Sequence, residues 1–135
     1  METKLTAKDL MVGDWVIYNP NVFIEDEYEP YKEPYLCRIE SGEQIDDAVN
    51  ECYSPIPLTA EILEKNGLKP HKRYIGMFVE RTDKYQLYVT GNHITAYILL
   101  EDGAEEHQWM LPRPMYVHEF QHAVKNFKIN KEIVL

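Results

Sequence analysis

The feature that most constrains the fold is a series of short apolar runs with almost no chain between them. Residues 73–79, 85–90 and 93–100 are rich in β-branched and aromatic side chains, and the turns between them are Thr82-Asp83-Lys84 and Gly91-Asn92. Parallel neighbours need a crossover of a dozen or more residues. Links this short therefore predict three strands of an antiparallel meander. In the second run Tyr85, Leu87 and Val89 share one face, and Gln86, Tyr88 and Thr90 the other. Gly76 inside the first run predicts a bulge. Glu101-Asp102-Gly103 reads as a further turn. Residues 104–114 read as irregular, with Trp109-Met110-Leu111 as a candidate edge strand.

Two helices flank the meander. In residues 58–68, Thr59 is placed to cap the orphan amides, and Leu58 and Leu63 occupy the positions of a hydrophobic staple. Glu61 and Lys65 complement the helix dipole. Gly67 is the left-handed stop, closed by Leu68. The second helix is residues 116–127, where Tyr116, Val117, Phe120, Ala123, Val124 and Phe127 form one apolar stripe. Residues 132–135 read as a terminal strand or a docking tail.

The first 56 residues read differently. Thr6 caps a turn, and Trp15-Val16-Ile17-Tyr18 and residues 35–39 read as strands. Val22-Phe23-Ile24 is a candidate short strand after the Asn19-Pro20-Asn21 break, and residues 44–51 a candidate short helix. This predicts a small bent sheet or SH3-like partial barrel. The fold class expected for the whole chain is α+β: that sheet, then a capped short helix, an antiparallel β-meander and a C-terminal amphipathic helix. One domain over 1–135 is expected, with an acidic β-rich part (1–56) and a second part (57–135).

Charge separates the same two parts. The 135 residues carry a formal net charge of −9. Thirteen acids and four bases lie before Pro57, and ten of each follow it. An acidic surface repels nucleic acid and anionic lipid, so neither is a default partner. No apolar run approaches the roughly 20 residues of a membrane helix, and Met1-Glu2-Thr3-Lys4-Leu5 lacks the apolar stretch of a signal peptide. Without an export signal, Cys37 and Cys52 are expected as free thiols in a reducing cytoplasm.

One motif carries chemistry. His118-Glu119-Phe120-Gln121-His122 matches the His-Glu-x-x-His pattern, in which two histidines one helical turn apart bind zinc and the glutamate activates its water. The zinc-hydrolase reading therefore assigns His118 and His122 as ligands and Glu119 as catalytic base, with His93, His107 or a loop carboxylate as the third ligand. The helical stripe argues against it. At about 100° per residue, His118 and His122 fall nearly opposite Phe120, Val124 and Phe127, beside Lys125, which predicts a solvated polar face. Cys37 paired with a histidine has no local nucleophile signature. The loop acids lack the spacing of a calcium loop.

The remaining candidate is a surface. Residues 25–34 hold five acids, two prolines and no aliphatic side chain. Glu25, Asp26, Glu27, Tyr28, Glu29 and Tyr31 form a candidate protein-binding surface, because tyrosine gives contact area at low entropic cost. The partner expected is a protein with a basic surface. Mimicry of nucleic acid is the less favoured alternative, since these acids cluster in a Pro-rich loop rather than along a rigid face.

Three segments add a resemblance: Leu10-Met11-Val12-Gly13-Asp14-Trp15-Val16, then residues 56–67 beginning Ile56-Pro57-Leu58-Thr59, then Tyr116-Val117-His118-Glu119-Phe120-Gln121-His122. In this order and spacing the chain resembles, over nearly its whole length, an uncharacterised family of small proteins from gut bacteria and their phages or mobile elements. The resemblance brings no catalytic residue with it. It implies that relatives often carry glutamine at the position of Glu119 and asparagine at that of His122, substitutions an obligatory zinc site would not tolerate. The expected function is that of a non-enzymatic cytoplasmic accessory protein.

Overall fold

The computed structural model describes residues 4–24 and 28–135. The fold is α+β, with two antiparallel sheets of three and five strands and a few helices. The chain forms two compact units, Met1–Ile56 and Pro57–Leu135. The division falls where the acidic excess ends.

In the first unit, strand β1 (Trp15–Tyr18) is central, with β2 (Tyr35–Arg38) on one side and the short β3 (Tyr53–Ser54) on the other. The register sets Val16 opposite Cys37, and Tyr18 opposite both Tyr35 and Tyr53. Alternation then puts Val16 and Tyr18 on one face. That face belongs to a core of Leu5, Leu10, Val16, Ile39, Cys52 and Tyr53. Between β2 and β3 lies helix α1 (Gly42–Asp46), capped by the Ser41 hydroxyl, which accepts from the Gln44 amide at 3.4 Å. Residues 22–24, expected as a strand, instead belong largely to a 3-10 turn over Pro20–Phe23. Pro20 occupies its first position, where the missing N–H is no loss, and the Asn19 side chain accepts from the Asn21 amide at 3.0 Å.

The second unit begins with α2 (Ala60–Lys65), whose caps match the sequence reading. The Thr59 hydroxyl accepts from the Ile62 amide at 3.3 Å. Gly67 takes φ +91°, and Leu68, almost fully buried, donates back to the Leu63 carbonyl at 3.0 Å. The meander follows in chain order: β4 (Lys69–Pro70), β5 (Phe78–Arg81), β6 (Tyr85–Val89), β7 (His93–Leu100) and β8 (Gly103–Met110). Leu87 faces Ala96 and Val89 faces Ile94 across β6 and β7, all four fully buried.

Two expectations for this sheet are corrected. The strand expected over residues 73–79 begins only at Phe78, and Gly76 is a turn residue at φ +84° rather than a bulge. The irregular stretch expected after Gly103 is instead a full eight-residue edge strand, paired with β7 from Gly103 to Met110. Its charges suit an edge, where they blunt pairing with other chains.

Helix α3 (Val117–Asn126) follows, and its C-cap residue Phe127 stacks on His107 of β8 at 5.4 Å. The C-terminal residues are a docking tail rather than a strand. The Asn66 side-chain amide donates to the Val134 carbonyl at 2.7 Å and accepts from the Val134 amide at 2.8 Å. One side chain thus does the work of a neighbouring strand.

Candidate functional site

The His-Glu-x-x-His segment occupies the first turn and a half of α3, and the structure corrects its expected environment. His118 is 4% exposed and Glu119 8%. Four consecutive residues, Val117 to Phe120, are buried. Periodicity arguments assume a helix buried on one side, whereas the first turn of α3 is enclosed all round. Gln121 and His122 in the next turn are half-buried, and Lys125 and Asn126 are exposed. His118 stacks on Tyr116 at 6.1 Å and meets His122 edge-on at 5.6 Å.

Glu119 has a structural task at this position. Its carboxylate receives both guanidinium nitrogens of Arg113, at 2.8 and 2.7 Å, and the Tyr116 backbone amide at 2.9 Å. It therefore serves as the acceptor at the third helical position of a cap. Burial pushes the carboxyl upward, but the hydrogen bonds from Arg113 and the Tyr116 amide, with the Arg113 charge, outweigh it and hold the group below its ordinary value. A catalytic base on a zinc-bound water needs the opposite, a carboxylate free to take a proton. Among the described residues no three histidine, cysteine or acidic side chains converge in a way that could hold a metal ion.

This arrangement makes a pH-dependent prediction. A depressed folded-state value means the stabilisation is complete above the unfolded carboxylate value and is lost as pH falls through the folded one. Glu119→Ala removes cap and ion pair together and costs about 1–2 kcal/mol near pH 7. Glu119→Gln keeps an acceptor for the Tyr116 amide and costs less. Thermal melts should show the Glu119→Gln deficit at about pH 7 and its progressive decline as pH falls below the ordinary carboxylate range. A deficit that persists in acid would place the loss elsewhere.

The thiols are not set up as nucleophiles. Cys52 is fully buried, and its thiol donates to the Asp47 carbonyl. Burial raises both Cys37 and Cys52 above the ordinary thiol value, and Glu40 adds to the effect at Cys37. Reactive cysteines need the reverse shift.

The candidate binding loop falls partly outside the described residues, which include neither Glu25, Asp26 nor Glu27. Tyr28 and Tyr31 are 86% and 69% exposed, and Glu29 is exposed. The loop is anchored beyond them by Asn21, whose side chain accepts from the Lys32 amide at 2.8 Å and donates to its carbonyl. Sequence reasoning missed what lies beside this anchor. Tyr18 gathers Phe23 at 6.2 Å, Tyr35 at 5.4 Å and Tyr53 at 5.8 Å into one aromatic cluster. Tyr53 is its buried root, while Phe23 and Tyr35 stand about half exposed. The signal lay in strand register rather than composition, since Tyr35 and Tyr53 are the two cross-strand partners of Tyr18.

Sequence reasoning also missed a basic cavity in the second unit. It measures about 690 Å³, and Lys69, His71, Lys72, Arg73 and Arg81 line it. The signal was legible as the run Lys69-Pro70-His71-Lys72-Arg73, with no acid between Gly67 and Val79.

Comparison with known proteins adds no likeness to this geometry: no family model matches the chain, and no curated protein or solved structure matches it. Among the described residues no helix is long and apolar enough to cross a membrane.

Proposed function

We propose that the chain is a non-enzymatic cytoplasmic accessory protein, of phage or mobile-element origin, that acts by binding a basic protein through its N-terminal unit. The carrying observation is the aromatic cluster: Phe23 and Tyr35 are held half exposed on a base of half-buried Tyr18 and buried Tyr53, next to a loop that exposes Tyr28 and Tyr31. Protein interfaces are enriched in tyrosine and phenylalanine, and their strongest contributions come from rigid aromatic anchors. Here the anchors lose little freedom on binding because neighbouring rings already hold them. The acids of residues 25–33 supply long-range attraction to a cationic partner, which raises the association rate more than the final affinity. The motif resemblance supports the proposed origin.

Selection of random peptides on the immobilised protein tests the reading. The enriched peptides should carry a net positive charge with at least one large apolar residue. Phe23→Ser with Tyr35→Ser should weaken their capture by about tenfold or more. Neutralising Glu25, Asp26, Glu27 and Glu29 should weaken it less, and should flatten its dependence on salt. Peptides that bind the aromatic variant as well as the native protein would overturn the proposal, and so would selection of acidic peptides.

A further inference from the structure

The second unit holds a device of opposite charge. After α2 the chain passes the left-handed Gly67, pairs briefly as β4, turns through residues 71–77 and returns as β5. His71 organises that turn. Its Nδ1 accepts from the amides of Arg73 at 3.0 Å and Tyr74 at 3.3 Å, and its own amide donates to the Met77 carbonyl at 2.8 Å. With Nδ1 accepting from two amides, the ring's N–H is at Nε2, where it is a donor. The cavity so framed is lined by Lys69, His71, Lys72, Arg73 and Arg81, with Pro70 and Val79 as apolar wall.

The one acid in the lining is already committed. Glu80 pairs with Lys131 at 3.0 Å and accepts from the Tyr85 hydroxyl. Lys69, Lys72 and Arg73 form no ion pair with any described residue. Cations gathered in one concavity without counter-ions repel each other and concentrate a positive potential there. Arg113 and Lys131 of the same unit are, by contrast, paired with Glu119 and Glu80.

We infer that this cavity binds a small polyphosphate: pyrophosphate, or the di- or triphosphate group of a nucleotide. The volume lies within the roughly 300–1,000 Å³ of small-molecule sites. Arginine offers a planar fork and lysine a mobile point charge, the two complementary ways of holding phosphate oxygens. A single carboxylate or chloride would leave most of these donors unused, whereas linked phosphates engage several at once. The unit is neutral overall, so its own charge does not oppose an anion as the N-terminal unit would.

Calorimetric titration of the full chain with magnesium-free pyrophosphate, ATP and a mixed-sequence single-stranded oligonucleotide tests the inference. Pyrophosphate and ATP should each bind once per chain, less tightly as sodium chloride is raised. Tighter binding of ATP would assign part of the recognition to the nucleoside, and equal binding would assign all of it to the phosphates. Lys72→Ala with Arg73→Ala should weaken both by about tenfold or more, because two charge-assisted contacts are lost. Both side chains are exposed, so the melting temperature should stay put. Lys125→Ala, exposed on α3, should change nothing. Absence of pyrophosphate binding at millimolar concentration would overturn the inference, as would full affinity in the double variant or binding of the oligonucleotide alone.

Discussion

Phe120→Ala destabilises the C-terminal unit by about 3–5 kcal/mol, the usual cost of emptying a fully buried phenylalanine site. Phe120 is fully buried. It sits in the middle of α3, whose ten residues are too few for a helix to persist in water by propensity alone. The helix therefore exists because Phe120, with Val117, Ala123 and Val124, is covered. Removing the ring leaves a cavity that this enclosed first turn has little room to close. Each unit contains one tryptophan, Trp15 in the first and Trp109 in the second. Urea denaturation followed by Trp109 fluorescence in a Trp15→Phe background should register the loss. Lys125→Ala on the exposed face should stay within about 0.5 kcal/mol. A loss below about 1 kcal/mol for Phe120→Ala would mean that α3 is not anchored as described. In His118-Glu119-Phe120-Gln121-His122, then, a residue the zinc motif treats as filler holds the fold.

What the sequence made legible was local. The caps at Thr59 and Gly67 concern residues within one or two turns of each other, and the structure places both as read. The hairpins of β6 and β7 follow from links too short to permit anything else. Where the reading failed, a hydrogen-bond partner that propensity does not register decided the outcome. Strand β8 begins Gly-Ala-Glu-Glu-His-Gln, a poor strand sequence by propensity, yet it pairs with β7 along its whole length. Residues 73–77 have the composition of a strand, but the His71 side chain captures two of their amides and turns them. Burial of His118 was hidden because helical periodicity reports only one-sided burial.

The two candidate sites were missed for different reasons. Tyrosines of the aromatic cluster are separated by up to 35 residues, Tyr18 to Tyr53, and meet only through sheet register. The basic cavity was concealed by averaging. Ten acids cancel ten bases over residues 57–135, and that zero masks a run where four of five residues are lysine, histidine or arginine. Charge summed over a window longer than a ligand site cannot find the site.

The second large effect concerns the ion pair made by Glu80, the acid in that cavity's lining. Lys131 and Glu80 have side chains only 13% and 16% exposed, and Tyr85 donates to the same carboxylate. Lys131→Met should cost about 3 kcal/mol, the low end for breaking a buried pair, because it leaves the Glu80 charge largely desolvated with one phenol for company. Replacing both residues by methionine should recover most of that loss, since the cost lies in the orphaned charge rather than in the absent attraction. Gly67→Ala reaches the same carboxylate from the other side. A Cβ there would lie 2.5 Å from Glu80 Oε2, on a backbone at φ +91° that disfavours any side chain. Its cost should shrink in the double-methionine background to the backbone strain alone, about 1–2 kcal/mol. Burial and the bond to Glu80 also push the Tyr85 phenol above its ordinary value. Because the folded-state value is the higher one, its stabilisation is complete below about pH 10 and is lost as pH rises beyond that. Tyr85→Phe should therefore flatten the alkaline limb of the stability profile. Additive losses from Lys131→Met and Gly67→Ala would show that the two act on separate features, and would sink the account of Glu80 as their common point.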